Sequence, residues 1–434
     1  ITLDGEGNLY IAGEAESSLS GINAGGRDWF VSKISSSSGE LDSNFGDGDG
    51  SDNDGILLLN ESEGIDATNY EYINSIVLDG AGNLFVAGYI ETDSGLYNAY
   101  VMKMDASSGV LDSEFGDGDG NDNDGIVQIN GFNSSNASGE QEISSIALDG
   151  LGNLFVAGYT SSPLSGADTG SSDGFVIKMD ATSGVFDSDF GDGDGSDNDG
   201  IMQINSGNVI DASGYDFINS IVLDGAGNLF AAGHTRGSLS GGNGGDTDGF
   251  IIKMSASSGL FDLNFGDGDG ADNDGILQIN TNKVAGAGDE DFINKIIHDG
   301  LGSLFVVGVT TSSLSGTKDG YSDGFVIKMD ETNGLFDSSY GDGDGVDSDG
   351  VLQINASNTS STGSRDGIAS AALDGAGNLF VAGYTNGTLS GANGGYFDAF
   401  VIKMSAASGL FDATFGDGDG ANDDGILQIN ASKV

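Results

Sequence analysis

Six stretches of this chain gather carboxylates at glycine-spaced positions, a pattern whose natural chemistry is the binding of a hard cation. The pattern reads Gly-Asp-Gly-Asp-Gly-x-Asp-x-Asp-Gly, returns after 70 residues and then every 75, and varies only in its last copy. The candidate ligands are Asp47, Asp49, Asp52 and Asp54 in the first loop, and Asp117, Asp119, Asp122 and Asp124 in the second. Asp192, Asp194, Asp197 and Asp199 form the third set, and Asp267, Asp269, Asp272 and Asp274 the fourth. The fifth holds Asp342, Asp344, Asp347 and Asp349, and the sixth Asp417, Asp419 and Asp424. Carboxylates at alternate positions of an irregular loop can turn toward one point, while the intervening glycines let the backbone curl without a Cβ clash. Two carboxylates ~5 Å apart repel by roughly 3 kcal/mol at an effective dielectric of ~20, so converging acids splay unless a cation joins them. Calcium is the expected ion, because it accepts about six to eight oxygens in flexible geometry where magnesium demands a stricter octahedron. The competing reading is a series of solvated Asp-Gly turns whose side chains bond only their own backbone.

The spacing resembles the Asp-x-Asp-x-Asp-Gly loops of EF-hands, dockerins and thrombospondin type 3 repeats. It departs from them at the third acid, which sits one position late, with Ser51, Asn121, Ser196, Ala271, Val346 and Ala421 in the slot those loops give to an acid or amide. The last loop has Asn422-Asp423-Asp424, which implies a weaker site. Just upstream, Asp42, Asp112, Asp187, Asp262, Asp337 and Asp412 read as turn caps, with extra metal ligation as the alternative. Lys33, Lys103, Lys178, Lys253, Lys328 and Lys403 share one register and are expected to pair with a local carboxylate or line a blade edge.

Charge and composition bound the functional classes. The chain has 68 acidic and 13 basic residues, a formal charge of −55 that repels nucleic acid. Acids selected for life in high salt would be spread over the surface, whereas here 24 of the 68 gather at closely spaced positions in the six loops. There is no cysteine, so disulfides, thiol chemistry and Cys-based zinc are ruled out. No apolar run approaches the ~20 residues of a membrane span, and no signal peptide precedes Ile1. An initial residue other than Met points to a processed form or a fragment. Catalysis is not expected: His234 and His298 fall at different places in their repeats, and Arg27, Arg236 and Arg365 are scattered. Two acids from separate repeats meeting in a central mouth would still permit a hydrolase.

These loops need a scaffold, and the repeat supplies it. Units of about 1–75, 76–145, 146–220, 221–295, 296–370 and 371–434 together form a single domain. In the fourth unit, Phe217–Leu223 reads as a first strand, Asp224-Gly225-Ala226-Gly227-Asn228 as a hairpin, and Leu229–Gly233 as a second strand. Gly249–Met254 follows Ser238-Leu239-Ser240-Gly241 as a third strand, and Gly275–Ile279 after the acidic loop is a fourth, with alternation suited to a half-wetted position. Four short antiparallel strands per unit, with no helical period, describe a blade: the expected fold is all-β, a six-bladed β-propeller. One such sheet buries too little by itself, so blades stack, with aromatics such as Phe155 and Phe175 between them.

Gly-Asn-Leu-Phe-Val-Ala-Gly-Tyr-Thr at 152–160 and Asp173-Gly174-Phe175-Val176-Ile177-Lys178-Met179 resemble the bacterial SBBP β-propeller repeat. Leu41-Asp42-Ser43-Asn44-Phe45-Gly46 is also similar to the signature of delta-60 repeats. The resemblance implies a propeller and no particular activity; the acidic loop before the last strand departs from both patterns.

In an up-and-down blade the hairpins and the acidic loops share one face, and the connections that differ most among units share the other, where partner contact is expected. Unit six stops short of a full repeat and unit one begins inside its first strand. This leaves either a ring closed by a shortened strand or an edge that a neighbouring chain completes, giving a head-to-tail fibre. Asn-x-Ser/Thr triplets at Asn60, Asn133, Asn136, Asn355, Asn358, Asn386 and Asn430 match the glycan-acceptor pattern, as a chain rich in these residues does by chance. The expected protein is thus an extracellular or cell-surface, calcium-stabilised propeller with a structural or adhesive role that self-associates into a fibre or surface assembly. A carbohydrate- or protein-binding propeller is the alternative and an extracellular hydrolase the third reading. Weak calcium sites fill at ~0.1–1 mM free ion, which is found outside cells.

Overall fold

A computed structural model describes residues 1–16, 19, 27–46, 54–59, 70–92, 95–116, 124–129, 134, 139–165, 172–191, 198–205, 208–209, 212–243, 245–266, 273–281, 283–284, 287–316, 318, 320–341, 349–355, 359, 364–390, 393, 395–416 and 424–429. Its strands form six four-stranded sheets, each antiparallel and in sequence order, with no helix among the described residues. This is the architecture of a six-bladed β-propeller. The chain divides into two compact units, residues 1–208 with 257–259, and residues 209–256 with 260–434.

The first unit holds three blades. They are β1 (Thr2–Leu3), β2 (Asn8–Ala15), β3 (Asp28–Ser35) and β4 (Ile56–Leu59); β5 (Glu71–Leu78), β6 (Asn83–Glu91), β7 (Tyr97–Asp105) and β8 (Ile126–Gln128); and β9 (Gln141–Leu148), β10 (Asn153–Thr160), β11 (Asp173–Asp180) and β12 (Ile201–Gln203). The second unit holds β13 (Asp216–Leu223), β14 (Asn228–Thr235), β15 (Asp248–Ser255) and β16 (Ile276–Gln278); β17 (Asp291–His298), β18 (Ser303–Thr310), β19 (Asp323–Asp330) and β20 (Val351–Gln353); and β21 (Asp366–Leu373), β22 (Asn378–Thr385), β23 (Asp398–Ser405) and β24 (Ile426–Ile429). An even division of the sequence at 75, 145, 220, 295 and 370 falls inside β5, β9, β13, β17 and β21, so each blade begins a few residues earlier.

Core residues lie between blades. In the second unit, Phe230, Ile251, Phe265 and Leu277 of the fourth blade pack against Ile293, Leu304, Val306, Phe325 and Ile327 of the fifth. Phe155 meets Phe190 of its own blade edge to face, and Phe175 joins Phe85, Val101 and Phe115 of the preceding blade in one cluster. Each fully buried aromatic contributes roughly 1.5–3 kcal/mol, which stacking alone makes available to so thin a sheet.

Two local devices repeat. At the hairpin that the sequence predicts, Asp224 Oδ1 accepts the Ala226 and Asn228 N–H groups at 2.7 and 3.0 Å, forming an Asx turn. Halfway along the first strand the register skips one residue: Asn219 stands unpaired between Ile218, opposite Gly233, and Ser220, opposite Ala232. That bulge aims Asn219 Nδ2 at the Ile293 carbonyl of the next blade, 2.7 Å away. Asn74 does the same to Ile143, and Asn294 to Ile368.

The fourth strand corrects one expectation. Ile276, Leu277 and Gln278 are all buried rather than half wetted. Gln278 Nε2 donates to Asp248 Oδ2 at 2.7 Å, and its Oε1 accepts the Ser240 N–H at 3.1 Å, so the polar position of the alternation faces a buried network instead of water. Gln353 and Gln428 repeat this arrangement with Asp323 and Asp398.

Candidate metal centres

Each acidic loop grows from a root built identically in all six blades. In the first, the Gly55 N–H donates to the Phe45 carbonyl at 2.9 Å, and the Lys33 N–H to the Gly55 carbonyl at 3.0 Å, which holds the loop's two ends together. Gly46 has a φ of 97°, and an added Cβ would lie 2.4 Å from the Ile56 carbonyl oxygen, so only glycine fits this crossing. The aromatic before it is driven into the core: Phe45, Phe115, Phe190, Phe265 and Tyr340 are fully buried. Each meets an aromatic of the second strand edge to face, as Phe230 and Phe265 do at 6.0 Å.

The fourth acid of each loop is described and sits at the exit. Asp54, Asp124, Asp199, Asp274, Asp349 and Asp424 each accept, on Oδ1, the N–H two residues ahead at 2.9–3.0 Å. Asp349 Oδ2 also accepts the Ser315 hydroxyl at 3.0 Å, and burial raises its pKa. The upstream acids, Asp47, Asp49 and Asp52 and their counterparts within 117–123, 192–197, 267–272, 342–348 and 417–423, lie outside the described residues. Among the described residues no three His, Asp or Glu side chains converge as a metal site. The donor set that the sequence offers at each root consists of oxygen alone, which suits calcium and not a metal that prefers nitrogen or sulfur.

The acid just before the root has a different task. Lys103, Lys178, Lys253, Lys328 and Lys403 pair with Asp112, Asp187, Asp262, Asp337 and Asp412 at 2.6–2.9 Å, and Lys33 with Asp42 at 3.2 Å. Each ammonium also lies over a second-strand ring, Lys253 being 5.7 Å from the Phe230 centroid. Asp262 Oδ1 meanwhile accepts the Asn264 N–H at 3.1 Å, so these acids are turn caps and lysine partners. Burial alone would raise the Asp337 pKa, but hydrogen bonds from Lys328 and Ser339 hold it at about 2.

The root also belongs to the joint between blades. The Gly46 N–H donates to the Ser108 carbonyl of the second blade at 3.0 Å, and the Gly116 N–H to Ser183 of the third at 3.0 Å. In the second unit, Gly266 bonds Asn333 at 3.2 Å and Gly341 bonds Ser408 at 3.1 Å. The residue that opens an acidic loop therefore holds the neighbouring blade.

The histidines serve separately. His234 is stacked on Phe217 at 4.9 Å, and burial, helped by Arg236, lowers its pKa to about 4. His298 contacts Glu331. Sequence reasoning missed two other groups in the second unit: the buried acids Asp248 and Asp291, and an aromatic groove formed by Phe292, Tyr321, Tyr384 and Phe397. Their only sequence signal is register, since the acids open their strands and the rings stand where the repeats differ.

Residues 136–165 match the SBBP family, a beta-propeller repeat. No curated protein matches the chain. Among solved structures, it is similar to prolyl oligopeptidase B from Galerina marginata at 10% identity, covering 94% of this chain and 44% of that one, with a TM-score of 0.38. It thus spans less than half the length of that enzyme. The β-propeller domain of the Trilobed protease from Pyrococcus furiosus, described as having an open velcro topology, matches at 8% identity, 94% and 82% coverage and a TM-score of 0.38. A neuraminidase-like protein from A/bat/Guatemala/164/2009 matches at 11% identity, 94% and 83% coverage and a TM-score of 0.35.

Proposed function

We propose that this protein is a non-catalytic, calcium-stapled scaffold of the cell exterior or cell surface. The observation that carries the reading is the shared root: Gly46, Gly116, Gly266 and Gly341 each open an acidic loop and bond the next blade. A cation that draws the loop's acids together orders the root, and the root is the blade joint. Calcium binding then becomes blade-to-blade stiffness, the role that disulfides fill in other secreted proteins and that a chain without cysteine lacks. A loop with a Kd near 0.1 mM adds about 1.4 kcal/mol at ~1 mM calcium, so the six loops together add about 8 kcal/mol, comparable with the whole stability of an ordinary domain, and only where calcium is millimolar. The same reading makes assembly into fibres or sheets depend on calcium.

Calorimetric titration of the full chain with calcium, paired with thermal melting in chelator, tests the proposal. At least six sites are expected, one per loop, together with a large fall in melting temperature on chelation. A melting temperature indifferent to chelator removes the staple. Electron microscopy of the calcium form, with and without chelator, reads the assembly.

A further inference from the structure

The second unit carries a groove of 540 Å³ between the ends of its blades, at the strand ends opposite those from which the acidic loops leave. Its walls come from segments far apart in sequence: Glu290 and Phe292 at the start of β17, Tyr321 before β19, Arg365 before β21, Tyr384 at the end of β22 and Phe397 before β23.

We infer that this groove binds a neutral oligosaccharide of two or three sugar units. Three observations carry the inference. First, large rings are exposed where water would favour polar groups: Tyr321 is 68% exposed, Phe397 52% and Tyr384 40%, with Tyr384 and Phe397 edge to face at 5.6 Å. Flat apolar faces held at fixed angles suit the C–H faces of pyranose rings. Second, the charged groups in the groove are not spent on each other. The Arg365 guanidinium lies over the Tyr321 ring at 5.2 Å and makes no hydrogen bond or ion pair among the described residues, nor does the Glu290 carboxylate. One fork of donors and one pair of acceptors, opposite in sign, match a ligand rich in hydroxyls and without net charge. An anionic ligand would also have to approach a protein of net charge −55.

Third, the repeats diverge at the groove positions and agree beside them. The second residue of the first strand is Tyr72, Glu142, Phe217, Phe292 or Gly367, and the residue after it is always isoleucine: Ile73, Ile143, Ile218, Ile293 and Ile368. Gly367 is part of the device: a Cβ there would lie 2.6 Å from the Tyr384 ring, so its missing side chain is what lets that ring lie over the strand. Five copies of one strand have kept this packing residue and varied the wall beside it, and two of the three in the second unit carry a ring there, Phe217 and Phe292.

The test uses the full chain in calcium, with cellotriose, maltotriose, xylotriose and chitotriose as probes at millimolar concentration, and the peptide Tyr-Gly-Phe as a competing ligand class. Saturation-transfer NMR finds binders and calorimetry measures them. Saturable binding of at least one trisaccharide is expected, about tenfold weaker in Tyr321→Ala and in Arg365→Ala and unchanged in Leu151→Ala, an exposed residue of the first unit. Because the altered side chains are exposed, melting temperatures should stay at the wild-type value, which separates lost binding from lost folding. Absence of binding by all four sugars, binding that survives Tyr321→Ala combined with Phe397→Ala, or binding of the peptide alone overturns the inference.

Discussion

Asp291 opens β17 fully buried, bonded through its backbone N–H to the Thr247 carbonyl and through its carboxylate to Thr310. Burial pushes its pKa up to about 7, against the pull of the Thr310 and Ser312 hydroxyls; of the charged groups acting on it, Asp248 and Asp289 are both acidic and push the same way. With 3.8 in the unfolded chain, folding takes up a proton between those two values. The contribution to stability is therefore fully present below about pH 4 and is lost as pH rises through about 7. Asp291→Asn removes the charge and keeps the shape, so it should melt above wild type near pH ~8 at fixed calcium, with the gap closing toward pH ~4. A variant that melts below wild type at the higher pH would refute this account. Corresponding positions of the second and third blades already hold two amides, Asn98 and Gln141.

Within the strands, the bulge sets a constraint that φ does not reveal. A Cβ on Gly233 would lie 1.7 Å from the Phe217 carbonyl oxygen, because the skipped register presses the two backbones together. Gly225, in the hairpin, has a φ of 74° and nothing within 4 Å of an added Cβ. Alanine at Gly225 should thus cost only about 1 kcal/mol of backbone strain. At Gly233 it must move one strand off the other and with it the Asn219 bond to the next blade, at a cost of more than about 3 kcal/mol. Urea denaturation of the two variants distinguishes them, and equal losses would mean that the bulge yields.

Across the whole molecule, stability sums over blades and the joints between them, as in other repeat architectures. Replacing three acids of one loop, Asp267, Asp269 and Asp272, by serine, with Asp274 left to cap the Ile276 N–H, should remove one calcium site and lower the melting temperature in calcium by one increment. A second loop treated in the same way should remove a second. In chelator the single-loop variant should melt no lower than wild type, since the repulsion it removes was unfavourable there. If it melts lower in chelator, the acids stabilise the blade without metal, as turn formers.

Short-range rules made the strands and loops legible. The run Asn228-Leu229-Phe230 followed by Gly-flanked turns, and acids spaced by glycine, act through backbone conformation and local repulsion, which depend on neighbours a few residues away. Repetition extended that reading to the whole chain, because identical thin sheets have only one another to pack against. Tertiary structure decided the rest. Gln278 reads as a wetted position until the Ser238–Gly241 loop folds over it, and Asp248 and Asp291 become a costly pair only when two blades meet. Glu290, Arg365 and Phe397 form a wall only because loops of different blades end at one place. Charge cost and ligand contact depend on distance in space, and blade stacking, not the order of residues, sets that distance.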